Sequence, residues 1–145
     1  GQAMGGYVAL RFTLAYPQSL RALILAGTSC RPVVEILKEW GDREAARLRK
    51  LTTASARGFL KTHDANVSRP DLTARLSEIR KPILVIVGEQ DTITPRRISE
   101  IMLREIPGAQ LRTIPGCGRR CHQDQPGTFN SVVTDFLCRV EAHHG

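Results

Sequence analysis

The chain opens with GQAMGGYVALRFTLAYPQSLRALILAG, residues 1–27, and this stretch decides the fold. Apolar side chains recur at helical spacing over Met4–Tyr16, which predicts a helix that is apolar around most of its circumference. Pro17 disfavours helical geometry at the residue before it and ends the helix. Leu20–Gly27 is short, almost wholly apolar and closed by glycine, as in a strand buried on both faces. The opening therefore predicts a helix packed on a buried strand. The helical apolar positions form two stripes, Val8, Ala9, Phe12 and Ala15 on one and Tyr7, Leu10 and Leu14 on the other.

The same alternation of strand and helix returns in the second half of the chain. Pro82–Val87 is a second apolar run, and a helix over Arg96–Glu105 follows it. Gln110–Ile114 is predicted as a third, short strand, and Pro126–Val140 as the last helix. Strands separated by helices predict an α/β protein with a parallel sheet of about three strands, flanked by helices. The last helix is expected to bury Phe129, Val132, Val133, Phe136 and Leu137.

Residues from about 29 to 80 have a different composition, rich in Arg, Glu, Lys, Thr and Ala. Helices are predicted over Pro32–Trp40, over Asp42–Leu51 and near Asp71–Ile79. We interpret this stretch as a helical cap inserted into one domain that spans 1–145, because a second autonomous domain would need its own apolar core.

Composition is that of a globular protein: of 145 residues, 41% are hydrophobic and 24% charged. No apolar run reaches the roughly 18–20 residues of a membrane span, and the first residues do not have the pattern of a secretion signal. Four cysteines without such a signal predict reduced thiols and a cytoplasmic location. The net charge of +7 favours a solvated basic surface over a nucleic-acid site, since no nucleic-acid motif accompanies it.

Gly1-Gln2-Ala3-Met4-Gly5-Gly6 is the turn that feeds the first helix, and it resembles the nucleophile elbow G-x-S-x-G of the α/β-hydrolases. GEQDTITP, residues 88–95, resembles the loop that carries the family's acid. IPGCGRRCHQDQPGTFN, residues 114–130, resembles the histidine loop and the last helix. The three landmarks follow in the family's order. The resemblance implies the C-terminal portion of an α/β-hydrolase of the esterase, lactonase and peroxidase-like branch, starting at the elbow.

The resemblance assigns the catalytic positions residue by residue. The nucleophile falls on Ala3, which has no oxygen, and the acid falls on Asp91. The base falls on Arg119, which stays protonated and cannot accept a proton from a hydroxyl. The backbone N–H of Met4 would be one oxyanion donor. The chain is therefore expected to be inactive or strongly impaired as an ester or lactone hydrolase, with no cofactor.

His122, three residues beyond Arg119, is a substitute base only if the loop shifts, and its alternative is a polar surface histidine. Cys117, Cys121 and His122 also suggest a metal site. Their C-x-x-x-C-H spacing differs from the usual C-x-x-C knuckle, so no metal is expected. Residues that would complete such a site are Cys138, His143 and His144.

Two further functions stay open from the sequence. One is an active serine hydrolase in which Ala3 is an introduced substitution, and Arg119 argues against it because trapping a substrate needs only one change. The other is a noncatalytic oligomerising or binding module. The strand near Leu20–Gly27 is expected to be an uncovered apolar edge that pairs with a second copy or with a complementing N-terminal fragment. Any small ligand is expected to be ester-like.

Overall fold

The structure is a computed structural model, and it describes residues 1–34, 43–44, 46–50 and 53–143. Two short 3-10 turns, Pro17–Ser19 and Thr73–Glu78, join regular elements. The regular elements are, in chain order, helix α1 (Met4–Ala15), strand β1 (Leu23–Ala26), helix α2 (Ala54–Ser68), strand β2 (Ile83–Gly88), helix α3 (Arg96–Glu105), strand β3 (Gln110–Ile114), helix α4 (Cys121–Asp124) and helix α5 (Pro126–Ala142).

The three strands form one parallel sheet in the order β1-β2-β3. Leu25 of β1 pairs with Val85 of β2, and Ile86 of β2 pairs with Arg112 of β3. Every residue of β2 is buried, as the central position requires. The sequence prediction of a three-stranded parallel sheet flanked by helices is confirmed, because parallel strands need crossover connections that cover the sheet.

The outer edge of β1 is not free along its whole length, so the expectation of an uncovered strand over Leu20–Gly27 is wrong for its last residues. The chain before α1 runs parallel to β1, with a bridge between Gln2 and Ala26. The Gly1 nitrogen donates to the Ile24 carbonyl at 2.7 Å, and the Ala26 nitrogen donates to the Gly1 carbonyl at 3.0 Å. The residues of the elbow therefore satisfy the edge they were expected to leave open.

Side chains of β2 alternate between two apolar clusters, one on each face of the sheet. Ile83 and Val85 enter the cluster formed with α1, α3 and the Thr73–Glu78 turn. Leu84 and Ile86 enter the cluster formed with α5, whose centre is Phe136. Burial on both faces explains why the strand sequence is continuously apolar instead of alternating.

Each long helix buries a narrower stripe than its sequence suggests. In α1 the buried side chains include Tyr7, Leu10 and Thr13, while Val8 is 58% exposed and Phe12 is 47% exposed. In α5, Leu137 is 43% exposed, so the prediction that it is buried is wrong. The reason is geometric: a helix lying on one face of a sheet presents only part of its circumference to it.

Residues 31–71 form a second compact unit. Its helix α2 begins at Ala54, where the Thr53 side chain accepts from the Ala56 nitrogen, an ordinary N-cap. This helix was not predicted, because its residues are mostly polar and give no sustained apolar stripe. The helix predicted near Asp71–Ile79 is instead the 3-10 turn Thr73–Glu78.

The other two helices predicted for the cap, Pro32–Trp40 and Asp42–Leu51, lie largely outside the described residues. Within them, residues 43–44 and 46–48 are helical. Among the described helices, none combines the length and the apolar character that crossing a bilayer would require.

Candidate active site at the glycine elbow

Ala3 occupies a backbone conformation that L-residues rarely adopt, with φ 51° and ψ −124°. It is the only positive-φ residue other than glycine in the described chain. Four hydrogen bonds hold it there. The Ala3 nitrogen donates to the Ala26 carbonyl at 3.2 Å, and the Ala3 carbonyl accepts from the Thr28 hydroxyl at 2.5 Å and from the nitrogens of Gly6 and Tyr7 at 3.1 and 3.3 Å. Such strain persists only where the surroundings enforce it, and it marks functional sites. The turn therefore has the geometry of a nucleophile elbow.

Glycines on either side of Ala3 allow this turn to close. A Cβ at Gly6 would lie 2.6 Å from the Thr28 side chain, and a Cβ at Gly1 would lie 2.5 Å from the Gly5 carbonyl oxygen. Both distances are below van der Waals contact, so only glycine fits without movement. Close approach at Gly6 is what brings the Thr28 hydroxyl within reach of the Ala3 carbonyl.

We expect Ala3→Gly to stabilise the chain by about 1 kcal/mol, because relief of the backbone strain exceeds the added entropy of the unfolded glycine. Ala9→Gly, inside α1 with ordinary helical geometry, is the matched control and should lose about 1 kcal/mol. Urea unfolding of the three proteins measures both changes. An Ala3→Gly loss equal to that of the control would show that the turn is not strained.

Asp91 lies one loop away, directly after β2, and it is 4% exposed. Its Oδ1 accepts from the backbone nitrogens of Ile93 at 2.9 Å and Thr94 at 2.8 Å. Its Oδ2 accepts from the Thr94 hydroxyl at 2.8 Å. Both carboxylate oxygens are thus bound by the loop that carries them, at the carboxyl end of the sheet where parallel sheets place their chemistry.

Arg119 lies beside the elbow, in the loop after β3. Its carbonyl accepts from the Gln2 side-chain amide at 3.1 Å. Gly27 follows β1, has φ +50° and lies between Arg119 and Asp91. A Cβ at Gly27 would be 3.0 Å from the Arg119 carbonyl oxygen and 3.4 Å from the Asp91 Oδ2. The structure thus brings Ala3, Asp91 and Arg119 to one place, around Gly27.

The guanidinium of Arg119 is partly desolvated and has no ion-pair partner in the described part of the chain. Burial lowers the pKa of Arg119, and the nearby Asp91 carboxylate partly offsets this by raising it. Its Nη1 is buried without a hydrogen-bond partner. Arginine remains protonated under such shifts, so the group cannot serve as a base.

Backbone contacts fix the loops that carry Asp91 and Arg119 against each other. The Gln90 nitrogen donates to the Cys117 carbonyl at 2.9 Å. The Glu89 nitrogen donates to the Ile114 carbonyl at 2.9 Å, and the Gly116 nitrogen donates to the Glu89 carboxylate at 3.0 Å. The segments that carry Asp91 and Arg119 are therefore joined by bonds of neighbouring residues and not by the side chains of Asp91 and Arg119.

The sequence predicts the Met4 nitrogen as one oxyanion donor, and this role stays a prediction. The Met4 nitrogen begins α1 directly after the strained residue, and neither it nor the Gly5 nitrogen has a partner within the described residues.

His122 is directed elsewhere: its ring packs against Phe129 with ring centroids 5.9 Å apart, and no bond of Asp91 involves it. Its role as a substitute base stays a prediction that requires the loop to move.

Cys117 and Cys121 flank the Arg119 loop as two buried, free thiols. The Cys117 thiol donates to the Ile114 carbonyl at 3.3 Å. Burial raises the pKa of both thiols, that of Cys121 to about 11. In residues 1–34, 43–44, 46–50 and 53–143, no three His, Cys, Asp or Glu side chains are grouped to hold a metal ion.

Thiol labelling with iodoacetamide at pH 8 should modify the exposed Cys138 first and leave Cys121 protected in the folded protein. With a pKa of about 11, the Cys121 thiolate fraction at pH 8 is about one in a thousand. Because this pKa lies above the working range, labelling of Cys121 should rise with pH well past 9. Peptide mass mapping measures the order, with denatured protein as the control. Equal labelling rates for Cys121 and Cys138 in the folded protein would contradict the buried thiol pair.

The chain has part of the fold of the α/β-hydrolases. Three features define this class: the strained turn at Ala3, the buried Asp91 carboxylate after β2, and the loop after β3 that lies beside both. Comparison with known proteins agrees with this class. No model of a known protein family matches the sequence. A 2-hydroxy-6-oxononadienedioate/2-hydroxy-6-oxononatrienedioate hydrolase of Klebsiella pneumoniae is 28% identical over 177 positions, which cover 97% of this chain and 62% of the relative. That alignment is longer than the 145 residues of this chain, so the relative has segments without a counterpart here.

Solved structures give the same class. A thermophilic esterase from Thermogutta terrifontis, solved with malate bound, superposes with a TM-score of 0.77 at 29% identity, covering 97% of this chain and 64% of that one. The enol-lactonase from Burkholderia xenovorans LB400 superposes with a TM-score of 0.81 at 18% identity, over 95% of this chain and 64% of that one, which supports the fold. The chain therefore spans about three fifths of the length of the relatives it matches.

Sequence reasoning missed the residues that support the site. Thr28 and Thr94 hold the Ala3 carbonyl and the Asp91 carboxylate, and Gln2 holds the Arg119 carbonyl. Thr94, three residues after Asp91, carries a usable signal, since Asp followed closely by Thr favours local side-chain bonds in turns. The contacts of Thr28 and Gln2 span 25 and 117 residues, and no local pattern announces them.

Proposed function

We propose that this chain is an α/β-hydrolase-like protein that keeps the backbone geometry of the nucleophile elbow, while its serine hydrolase activity is lost or strongly impaired. The single observation that carries the proposal is the alanine at the strained turn: Ala3 has the conformation of a nucleophile and no nucleophilic atom. The second substitution, Arg119 in the position of the base, acts in the same direction. One change alone would be compatible with an introduced substitution, and two changes favour a site that no longer depends on a nucleophile.

The magnitude of the expected loss follows from how a triad works. Nucleophile and base act as a unit, so removing one member removes most of the acceleration and removing the second adds little. What remains in such sites is roughly 10³–10⁴ over water, from oxyanion stabilisation and binding. Here the Met4 nitrogen is the oxyanion donor that supports such a remainder. A single oxyanion donor keeps little of that remainder, because removal of one donor costs about 10²–10³ in rate, so hydrolysis of an ester or lactone is expected close to the buffer rate.

The test restores the chemistry in steps. The native chain, Ala3→Ser, Arg119→His and the double variant Ala3→Ser/Arg119→His are assayed with p-nitrophenyl acetate, with Arg120→His as the matched control on the exposed neighbour. We expect no turnover above buffer in the native chain, in either single variant or in the control. We expect measurable turnover in the double variant, because a serine on the elbow then has a base in the loop that lies beside it.

Each outcome separates the alternatives. Turnover in Ala3→Ser alone would support an active hydrolase that had lost only its nucleophile, and would overturn the proposal of a doubly degenerate site. Turnover in the native chain would overturn it altogether. A folded but inactive double variant would mean that the pocket, as well as the two side chains, has departed from hydrolase use.

A second candidate, a noncatalytic oligomerising module, is favoured by a specific surface. Val8, Phe12 and Tyr16 stand one helical turn apart, and each is about half exposed or more. The rings of Phe12 and Tyr16 lie 5.2 Å apart, which makes the stripe continuous. An apolar stripe of this kind is typical of a surface that a partner covers. We propose a second copy or a separate N-terminal piece as that partner, in place of pairing through the strand near Leu20–Gly27.

Light scattering after size exclusion tests this candidate. A concentration-dependent dimer in the native chain, lost in Phe12→Ser and kept in Leu103→Ser on the exposed side of α3, would support it. A monomer at both low and high concentration would overturn self-association.

The four free thiols favour a reducing compartment, and we therefore propose the cytoplasm as the location of the protein.

A further inference from the structure

A cavity of about 600 Å³ lies at the amino end of the sheet. Its lining includes Pro82, the residue before β2, whereas Asp91 follows the other end of that strand. The lining contains none of the three residues that meet at the elbow. The volume lies within the range of about 300–1,000 Å³ that is usual for small-molecule sites. The cavity is therefore of ligand size and separate from the candidate active site.

Main-chain structure bounds the cavity on two sides. One wall is the end of α1 together with the 3-10 turn that Pro17 begins. The other wall is the end of the Thr73–Glu78 turn and the residues that lead from it into β2. The Leu23 nitrogen donates to the Pro82 carbonyl at 3.0 Å, which fixes this second wall to the start of β1. The cavity is thus formed by the fold itself, as ligand pockets usually are.

Part of the lining is apolar and continuous with the core. Leu14, Pro17, Ile79 and Pro82 contribute it. Ile79 is buried in the cluster that lies on this face of the sheet, and Leu14 packs against the same cluster. An apolar wall that faces a cavity favours a ligand with a hydrocarbon body, because binding removes both surfaces from water.

The rest of the lining carries positive charge that is not neutralised. Arg80 is exposed and Lys81 is half-buried, and no carboxylate in the described part of the chain lies within 4.0 Å of their nitrogens. The Arg80 Nη1 donates to the Ser77 carbonyl, which is uncharged. Glu78, the acidic residue of the lining, accepts from Arg75 with both carboxylate oxygens, at 3.0 and 2.9 Å. The two cations are therefore available to an anion.

We propose that this cavity binds a small organic acid with a hydrocarbon body, whose carboxylate pairs with Arg80 and Lys81 while the body lies on the apolar wall. Charge complementarity selects an anion over a neutral molecule, and the apolar wall selects an organic anion over an inorganic one. The contribution of each cation is modest, because solvent screens charges that are partly exposed. The proposal is independent of the proposed function, since the cavity and the elbow lie at opposite ends of the sheet.

The experiment titrates sodium 4-phenylbutyrate into uniformly ¹⁵N-labelled protein at constant ionic strength. Neutral 4-phenylbutan-1-ol and sodium acetate are the matched probes. We expect saturable shifts of the Leu14 and Ile79 amide signals with 4-phenylbutyrate. The alcohol lacks the charge and acetate lacks the body, so each should bind about tenfold more weakly or less.

Variants of the two cations test the charged part of the site. Lys81→Gln breaks no ion pair of the described chain and should weaken binding about two- to fivefold. Arg80→Gln/Lys81→Gln should weaken it about tenfold. Arg97→Gln removes the same charge from an exposed position of α3 outside the lining, and it should bind like the native chain. If the double variant does not fold, Lys81→Gln and Arg97→Gln still give the comparison.

Three results would overturn the proposal. One is the absence of saturable shifts at Leu14 and Ile79. Another is equal affinity for 4-phenylbutyrate and 4-phenylbutan-1-ol, which would show that the cations take no part. The last is the same affinity in Lys81→Gln and Arg97→Gln, which would assign any effect of charge to the general basic surface. The assays of the elbow are unaffected by each of these outcomes.

Discussion

Gly88→Ala is expected to cost about 4 kcal/mol or more of folding free energy, the range that marks exceptional point mutations. Gly88 is the last residue of β2, and its backbone lies against the loop that carries Arg119. A Cβ at this position would lie 2.0 Å from the Gly118 carbonyl oxygen and 2.6 Å from the Cys117 carbonyl oxygen. Both neighbours are backbone atoms, so the loop can relieve the clash only by moving as a whole. The bond between the Gln90 nitrogen and the Cys117 carbonyl would be lost with it.

Gly127→Ala provides the matched control for this change. Gly127 lies in the first turn of α5, and a Cβ there meets nothing within 4 Å. The control should therefore keep or slightly raise stability, by up to about 1 kcal/mol. Guanidinium unfolding and soluble yield measure both variants. A Gly88→Ala protein within about 1 kcal/mol of the native chain would show that the two site loops are not in the contact described.

Phe136→Ala is expected to destabilise the chain by about 3–5 kcal/mol, through lost burial and the cavity left behind. Phe136 is fully buried at the centre of the cluster between α5 and the sheet. Its neighbours there include Leu84 and Ile86 of β2 and Ile114 of β3. Because these strands end at the candidate site, the loss should also loosen the loops after β2 and β3.

Leu137→Ala is the control, one residue further along the same helix and 43% exposed. We expect a change within about 1 kcal/mol for it, as for surface substitutions generally. Thermal or urea unfolding separates the two variants. Similar losses at both positions would contradict the face that α5 presents to the sheet.

The strands and most helices were predictable because their signals are local. β3 and α3 begin and end at the predicted residues, since turn residues and a proline at the helix start bound them. The burial of α1 was not predictable from its own sequence. Val8 and Phe12 are as apolar as Leu10, and only the position of the sheet decides which of them is covered. Polar helix α2 gave no periodic signal at all.

The site was predictable in position and not in arrangement. The structure brings Ala3, Asp91 and Arg119 to the carboxyl end of the sheet, and the roles that their order along the chain suggested stay predictions. That Asp91 is bound by Thr94, and that Arg119 keeps an unpaired Nη1, depends on distances of a few tenths of an ångström between distant segments. The sequence also suggested an open strand edge, and the same elbow that identified the class turned out to cover it.

The most direct test of the central claim, an elbow retained without its nucleophile, is covalent labelling with a fluorophosphonate followed by intact mass measurement. The reagent reports an activated serine and needs no particular substrate pocket. We predict no adduct on the native chain and one adduct per molecule on folded Ala3→Ser/Arg119→His, located at residue 3. An adduct on the native chain would contradict the loss of the nucleophile. A folded double variant that stays unlabelled would contradict the retained geometry.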